Sequence, residues 1–485
     1  MTQLTRVLTE VLEKIRPTPQ ELNLINKINL RLINILNKTA HELGIKYTQI
    51  EPQGSTGIKQ TQLRDDFDID LFIGLDYDLY KHNYNGLSKN QLKRESKKDF
   101  LKLCNNWIIK SLTSKEFNNP KLLYAEHPYV TVDYVLKNVK IKIDIVLYFD
   151  LDIEYIKKFG PITAVDRSPW HGRFIRDNLT NEQKDDVRLI KQFFKASYCY
   201  GDKSAVGKVG FIGYSAELLI YYFTNLNNLL SNFNKLKDYR LDYYGRTTKE
   251  LEDIVHFQQD YLIIVDPIDK NRNVASSISQ KAFKYCDFKI QEFLKDPSED
   301  FFKINPIPKI NLTTSNSETL FKIFIVELKN LDPNIHYTIN RDKLYSLAER
   351  IKTIGEKEYS HNDRFKKIEY EVYFENNFDE FSIAFYCEKP EISEKYTRRG
   401  PPKSEKLHVM KFIKKNPDYF EKDNYLWVET KREYSLFINF LNDFIRNKVP
   451  ENFEIINISQ ANNVKTSSGK RALYILTNLV LPFVE

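Results

Sequence analysis

The sequence, 485 residues long, predicts a multidomain α+β protein. Three observations support this prediction. Two alternating strands lie within the first 150 residues, capped helices dominate from about residue 153, and strands return beside a helix after about residue 320. We therefore expect an α/β head at 1–150, a helical neck at 151–295, an α+β body at 296–390 and a tail at 391–485.

Two amphipathic helices are expected at the N-terminus. Apolar residues recur at helical spacing in the first, which a proline ends. Thr18 and Glu21 then form a predicted capping box, with Pro19 at the first helical position. The second helix is expected to close at Gly44.

A Gly54-Ser55 turn opens onto a predicted strand over 66–75. One face carries Phe67, Ile69, Leu71 and Ile73, and the other carries Asp66, Asp68, Asp70 and Phe72. Residues two apart on a strand share a face about 6.6 Å apart. Asp68 and Asp70 can therefore hold a pair of magnesium ions about 4 Å apart, an arrangement used for in-line attack at phosphorus. The glycine lets the backbone approach a triphosphate, and the Ser55 hydroxyl adds a donor.

A second alternating strand, predicted over 139–147, carries a third carboxylate. Its buried face is Val139, Ile141, Ile143 and Ile145, and its polar face is Lys140, Lys142 and Asp144. The three aspartates could instead be solvent-facing strand residues, but aspartate is depleted in strands. Together with the Gly-Ser turn, they predict a nucleotidyltransferase active site in which Asp144 helps bind the metal that activates an attacking hydroxyl.

The remaining elements follow from capping and periodicity. A helical stretch is expected over 89–112, and a capping box at Thr180 begins a helix that runs through Lys195. A linker is expected over 295–319, because the segment is poor in periodicity and rich in Pro, Asn and Ser. Beyond it we expect strands at 321–327, 368–374 and 381–387, a helix at 341–354, a basic turn at 397–403 and a helix from about residue 406.

Composition limits the class of protein. The net charge of +7 favours a polyanionic partner, although basic and acidic segments alternate. Four cysteines without a CxxC pair argue against a zinc site or a disulfide framework and favour a reducing cytoplasm. No signal peptide or apolar run of transmembrane length is recognisable, so we expect no membrane association.

Further motifs occur in a fixed order along the chain. They are residues 124–130, 164–171, 187–191, 200–201, 210–214 and 265–275. Together with Gly54-Ser55, Asp68, Asp70 and Asp144, they resemble the archaeal-type (class I) CCA-adding enzymes, tRNA nucleotidyltransferases that build the 3′-terminal CCA without a nucleic-acid template. The resemblance covers about residues 1–290 at motif level and continues more loosely to the end.

The resemblance implies a role for each matching residue. Asp68, Asp70 and Asp144 match metal ligands, and Ser55 matches a triphosphate contact. Lys59 stands where relatives often carry arginine. Lysine keeps the positive charge but lacks the bidentate geometry of arginine. His171, Lys191 and Tyr200 match residues that line the ATP and CTP site, His127 falls beside the triphosphate, and Arg272 matches an arginine that helps select the incoming base.

Each of these residues also has an ordinary interpretation. Lys191 shares a helical face with Arg188 and Lys195, which alone would indicate a solvated basic stripe. A single histidine is more often structural than functional, but the Pro-Trp turn before His171 fits a phosphate-facing loop. Arg272 could be a surface charge. Arg398 and Arg399 fit a solvated turn about as well as a contact to an RNA backbone.

The resemblance implies a Mg²⁺-dependent, cytoplasmic CCA tRNA nucleotidyltransferase with CTP and ATP as substrates. Its tRNA partner is expected to bind through the acceptor stem and elbow, and a homodimer is left open. One alternative is a terminal ribonucleotidyltransferase that adds only A or only C, in the manner of a poly(A) polymerase. The other is an RNA-binding protein whose active site has decayed, against which the intact Asp68, Asp70, Asp144 and Ser55 argue.

Overall fold

The computed structural model describes residues 2–124, 127–136, 139–312, 317–358, 363–375, 377 and 379–484. Two residues of the motif at 124–130 and four of the expected linker therefore lie outside the described residues. The chain forms two compact units. The first unit consists of Met1–Ser204 and Val209–Asn305, and the second consists of Ala205–Lys208 and Pro306–Glu485. The finer division into head, neck, body and tail stays a prediction.

The first unit begins with helices and a mixed sheet. Its first helices and strands are α1 (Gln3–Ile15), α2 (Pro19–Leu43), β1 (Gln49–Gln53), β2 (Ile69–Leu75), α3 (Tyr77–Tyr80), α4 (Lys89–Leu103), α5 (Ile109–Ser111), β3 (Phe117–Tyr124), β4 (Pro128–Leu136) and β5 (Val139–Phe149). A π-helical turn, Cys104–Ile108, joins α4 to α5. The predicted capping box at Thr18 and the left-handed Gly44 cap of α2, with φ of 65°, are both confirmed.

The five strands form one sheet in the order β1-β2-β5-β4-β3. β2 and β5 run parallel, and the other neighbours are antiparallel. The alternating apolar residues Ile69, Leu71, Ile73, Ile143 and Ile145 are fully buried, as predicted. Val139 is an exception, because at the first position of β5 it is 40% exposed. This packing holds the polar faces of β2 and β5 side by side.

The rest of the first unit is largely helical. Its elements are α6 (Ile153–Phe159), α7 (Ser168–Asn178), α8 (Asn181–Ala196), α9 (Gly213–Phe223), α10 (Leu226–Asn232), β6 (Arg240–Leu241), α11 (Thr248–Glu252), β7 (Ile263–Ile264) and α12 (Gln280–Lys295). The predicted capping box of Thr180 starts α8. Stacked phenylalanines, among them Phe194 against Phe211 at 4.4 Å between ring centroids, fill the core. No helix in the described part of the chain has the length and apolar character to cross a membrane.

The second unit contains two antiparallel sheets. Its elements are α13 (Ser317–Phe321), β8 (Ile323–Asn330), α14 (Tyr337–Glu356), β9 (Ile368–Phe374), β10 (Glu380–Cys387), β11 (Lys395–Pro402), α15 (Lys406–Lys415), β12 (Phe420–Lys422), β13 (Tyr425–Lys431), α16 (Phe437–Lys448), β14 (Phe453–Gln460) and α17 (Ser467–Tyr474). The strand orders are β14-β8-β10-β9 and β11-β13-β12. The predicted basic turn at 397–403 is wrong, since most of it belongs to the edge strand β11.

Candidate active site

Two carboxylates face each other across the parallel strands β2 and β5. In the register of these strands, Asp70 is the partner of Asp144, so both side chains lie on the same face. Asp68 precedes the strand, because β2 begins at Ile69 and not at residue 66 as predicted. The pairing of β1 with β2 ends at Gln53 and Asp70, where the Gly54 turn leads the chain away.

Gly54 lies against one of these carboxylates. Its φ is +68°, and a Cβ atom there would lie 2.2 Å from Oδ2 of Asp70. The turn is also tied to the segment before β2, because Thr56 Oγ1 donates to the carbonyl of Asp68 at 2.9 Å. Glycine is therefore required both by the left-handed backbone and by the close approach to Asp70. Ser55, half-buried, follows directly in the same turn.

The carboxylates repel one another. Burial, and after it the charges of Asp144 and Asp68, raise the pKa of Asp70 to about 7. Asp68 is exposed as a residue, yet partial burial of its carboxyl group raises its pKa as well. Lys142 Nζ donates to Oδ2 of Asp144 at 2.7 Å, whereas Oδ1 of Asp144 is buried and accepts no hydrogen bond.

This donor set fits a divalent cation between β2 and β5. Carboxylate oxygens are the ligands that hard cations prefer, and a buried oxygen without a donor is a free ligand position. Within the described ranges, however, no three His, Cys, Asp or Glu side chains are grouped closely enough to hold one ion. Asp68 therefore lies near the Asp70–Asp144 pair without completing a three-carboxylate cluster.

A cleft of about 500 Å³ opens in front of this pair. Of the predicted site residues, its lining includes Lys59, Asp70, His127, Asp144, His171 and Arg272. Ser55 follows the lining residue Gly54, and Asp68 lies two residues before the lining residue Asp70, whereas Lys191 and Tyr200 do not line the cleft. The cleft thus combines a carboxylate pair with a lysine, an arginine and two histidines.

Glu217, on α9, holds the basic residues of one wall. Its side chain, 1% exposed, accepts from Lys59 Nζ at 2.7 Å, from Thr61 Oγ1 at 2.7 Å and from Lys191 Nζ at 3.2 Å. Burial alone would raise the pKa of Glu217, but Lys59 and Lys191 lower it to about 2. Burial lowers the pKa of Lys191 to about 8, although Glu217 opposes this shift.

Asp266 holds a second group of cleft residues, which contacts Lys59 through Tyr214. Its carboxylate accepts from His171 Nε2 at 2.8 Å, from Arg272 Nη1 at 2.8 Å and from the Tyr214 hydroxyl at 3.1 Å. The His171 and Tyr214 rings stack with centroids 4.2 Å apart, and Lys59 lies 4.7 Å from the centre of the Tyr214 ring. The predicted loop at His171 is wrong, since this residue is buried within α7, which has a proline in its first turn.

The other predicted contacts are positioned differently. His127 is buried edge-to-face on Phe100, and burial together with Lys97 and Lys93 lowers its pKa to about 4. It therefore contributes a neutral ring to the cleft. Tyr200 is half-buried, and the ammonium of Lys195 lies 5.2 Å from its ring centre.

Arg398 and Arg399 lie on β11 in the second unit. The Arg398 guanidinium is 5.6 Å from the Phe412 ring centre, and that of Arg399 is 4.7 Å from the Tyr425 ring centre. Arg398 is half-buried, whereas Arg399 is exposed. Of the two, only Arg399 has an exposed side chain.

Sequence reasoning missed Glu217, Asp266 and Tyr214 as site residues. All three fall in or beside motifs that the sequence shows, at 210–214 and 265–275. A single glutamate within the apolar run of α9 was a usable signal, because a buried carboxylate needs cationic partners.

Comparison with known proteins finds relatives over nearly the whole chain. A family model described as tRNA nucleotidyltransferase, second domain, matches residues 185–303. A CCA-adding enzyme of Methanococcus maripaludis is 28% identical over 467 residues, which covers 93% of this chain and 96% of that protein. One from Saccharolobus islandicus is 29% identical over 431 residues, covering 88% and 87%.

The solved structure of a cytoplasmic RNA terminal U-transferase superposes with a TM-score of 0.46 at 13% identity, over 63% of this chain and 98% of that one. A CCA-adding enzyme of Methanocaldococcus jannaschii is 30% identical over 481 residues, which covers 96% of this chain and 94% of the relative. With that identity extending over nearly the whole of both proteins, this chain belongs to the family of CCA-adding enzymes, which are tRNA nucleotidyltransferases.

Proposed function

We propose that this chain builds and repairs the 3′-terminal CCA of tRNA from CTP and ATP, without a nucleic-acid template, and that Mg²⁺ is its metal. The observation that carries the proposal is the pairing of Asp70 with Asp144 beside Gly54. Nucleotidyltransferases generally use divalent metal ions. The buried, unpaired Oδ1 of Asp144 and the mutual repulsion of the carboxylates both favour binding of a cation.

In each transfer, the 3′-oxygen of the tRNA bonds to the α-phosphorus of the nucleotide. The bond from that phosphorus to the bridging oxygen breaks, pyrophosphate leaves, and the proton of the 3′-hydroxyl passes to water. Asp70 and Asp144 would hold the metal, and the predicted third ligand, Asp68, would add its charge from just before β2. When bound, Mg²⁺ supplies a lowered pKa for the attacking hydroxyl and charge to offset the leaving group.

The basic residues of the cleft have the remaining roles. Lys59 lines the cleft and would offset the charge of the triphosphate, to which the Ser55 hydroxyl would donate a hydrogen bond. Lys191 would act through Glu217, which it shares with Lys59, and Tyr200 is proposed to contribute to the same nucleotide site. His127 bounds the cleft as a neutral ring. Arg272 is 29% exposed at the cleft and would donate to acceptors on the cytosine or adenine edge.

We further propose that the second unit binds the acceptor stem and elbow of the tRNA through phosphate contacts, with Arg399 among them. The chain is proposed to act in the cytoplasm. In support, Cys104, Cys199, Cys286 and Cys387 are all buried free thiols.

The test is incubation of the wild-type chain with tRNA that lacks CCA, one nucleoside triphosphate at a time and then both, read on a sequencing gel. The proposal predicts two C residues with CTP alone and a complete CCA with both. Failure of tRNA ending in CC to accept A would favour a C-only enzyme. Addition of A alone to tRNA lacking CCA would favour the activity of a poly(A) polymerase.

A further inference from the structure

Asp266 is completely buried, and its carboxylate accepts four hydrogen bonds. Oδ1 accepts from the Tyr214 hydroxyl at 3.1 Å and from the backbone N–H of Ile268 at 2.9 Å. Oδ2 accepts from both His171 Nε2 and Arg272 Nη1, each at 2.8 Å. One oxygen atom therefore links two side chains that come from distant parts of the chain.

The Oδ2 atom fixes the orientation of both partners. An ionised carboxylate only accepts, so Nε2 of His171 carries its proton toward Asp266, and Nδ1 is the remaining nitrogen. Arg272 donates from Nη1 to the same atom, which anchors one end of its guanidinium and leaves its other N–H groups for the cleft. Both His171 and Arg272 line that cleft.

The charges keep the arrangement intact. Burial alone would raise the pKa of Asp266, but His171 and Arg272 hold it well below its usual range, so the group stays ionised. A backbone donor, Ile268, two residues along the chain holds Oδ1 in place. The carboxylate is thus fixed from one side and orients His171 and Arg272 on the other.

We propose that Asp266 is a positioning residue that makes His171 and Arg272 act as one unit in choosing the incoming nucleotide. The inference rests on the proposed function, because it needs Arg272 to contact the base. Discrimination then depends on the Asp266 carboxylate as much as on Arg272. A guanidinium that loses its anchor can turn its donors toward acceptors of either a correct or an incorrect base.

Asp266→Asn tests this arrangement with little change in volume. The amide keeps one acceptor oxygen and replaces the other with a donor NH2 group. At the position of Oδ2 this group faces both His171 and Arg272, and at the position of Oδ1 it faces the backbone N–H of Ile268; in either orientation the negative charge between His171 and Arg272 is lost. The measurement is kcat/KM for CTP and ATP against UTP and GTP, on tRNA lacking CCA and on tRNA ending in CC. We expect the ratio of correct to incorrect nucleotide to fall by roughly tenfold or more, with a smaller fall in kcat for the correct one.

The matched control is Asp260→Asn. Asp260 accepts from Asn273 Nδ2 at 2.8 Å and so also anchors this loop, but it does not line the cleft. Its variant should keep the wild-type ratio. If it loses the ratio equally, the effect of Asp266→Asn is general loosening of the loop, and the inference is overturned.

A double-mutant cycle with Arg272→Ala distinguishes positioning from packing. If Asp266 acts through Arg272, the double variant should discriminate no worse than Arg272→Ala alone. Independent, multiplying losses would overturn the proposal. Should Asp266→Asn not fold, Tyr214→Phe withdraws one donor from Oδ1 and keeps the ring. A lower ratio at unchanged Tm then supports the proposal, and a wild-type ratio overturns it.

The wild-type chain keeps the two proposals separate. If it adds neither C nor A to tRNA, the proposed function fails. If it builds CCA with normal selectivity and Asp266→Asn discriminates equally well, only the positioning role fails.

Discussion

Gly54 and Asp70 are in contact across the turn that precedes β2. A Cβ atom on Gly54 would lie 2.2 Å from Oδ2 of Asp70, closer than any non-bonded carbon and oxygen can approach. Two features that the sequence places sixteen residues apart, the Gly-Ser turn and the carboxylate, are therefore parts of one constraint on the backbone.

Gly54→Ala should abolish most of the nucleotide transfer. The added methyl group forces the Asp70 side chain out of position. The alanine must also adopt the left-handed backbone conformation, which costs about 1–2 kcal/mol. Gly86→Ala is the matched control, because Gly86 has φ of +78° with open space around its Cβ position. Both variants should lose the stability that the left-handed backbone costs, and Gly54→Ala should lose more because of the clash with Asp70, but only Gly54→Ala should lose activity. Equal activity in the two variants would separate Gly54 from the carboxylate site.

Removal of Asp144 should abolish a metal-dependent rise in stability. A metal that binds only the folded chain raises Tm in proportion to the logarithm of its concentration. We therefore expect added Mg²⁺ to raise the Tm of the wild type and to leave that of Asp144→Asn nearly unchanged. Without metal, the variant should be no less stable than the wild type, since it relieves repulsion of Asp70. A metal response retained in full would place the metal elsewhere.

Lys191 should give nucleotide binding an alkaline limit. Burial lowers its pKa to about 8, so its positive charge is lost as the pH rises through that value. KM for CTP should therefore rise above about pH 8, and Lys191→Arg, which stays protonated, should move this rise to higher pH. Lys195→Arg, on the same helix, is the control and should leave the profile unchanged.

The same shift has a defined sign for stability. Between pH values of about 8, the pKa of Lys191 in the folded chain, and 10.5, the ordinary pKa of lysine, the unfolded chain binds a proton that the folded chain has released. The contribution of Lys191 to the free energy of unfolding therefore increases with pH in that window. The measurement compares the free energy of unfolding of the wild type with that of Lys191→Met across this pH range. If the wild type loses stability relative to Lys191→Met as the pH rises, the lowered pKa of Lys191 is contradicted.

Sequence reasoning predicted the elements whose signals are local. The capping boxes at Thr18 and Thr180 and the alternation in β5 depend on residues a few positions apart, and the structure confirms them. In β2 the burial alternates only over Ile69–Leu71, and the strand is buried from Leu71 onward. Two errors have one cause. The proline before His171 and those that end β11 suggested turns, but proline is accommodated in the first turn of a helix and in edge strands.

The second layer of the site could not be predicted in this way. Glu217 contacts Lys59 across 158 positions, and Asp266 contacts His171 across 95. Neither pairing leaves a periodic or spacing signal, because each depends on how α9 and the loop after β7 pack. A sequence identifies such residues only as buried charges that need partners.

Arg399 should contribute to tRNA affinity through charge. It is exposed on β11, whereas Arg398 is half-buried and its Nη2 lies 3.4 Å from Oδ1 of Asn416. Arg399→Ala should raise Kd for tRNA and reduce the slope of log K against log salt concentration by about 0.7–0.9. Turnover on bound tRNA should stay nearly unchanged.

Lys395→Ala is the charge-matched control on the same strand. Lys395 already forms an ion pair with Glu429 at 2.8 Å, so its removal should change the salt slope less. Identical slopes for both variants and the wild type would show that this strand makes no phosphate contact.

The most direct test of the account is single-turnover transfer by Asp70→Ala on tRNA that lacks CCA, with labelled CTP and saturating Mg²⁺. Asp70 forms the carboxylate pair with Asp144, so its loss should remove the metal site. The fold of both units and the binding of tRNA should persist. We predict wild-type affinity for tRNA and no detectable incorporation of C. Incorporation within a few-fold of the wild type would contradict the assignment of this pair as the catalytic centre.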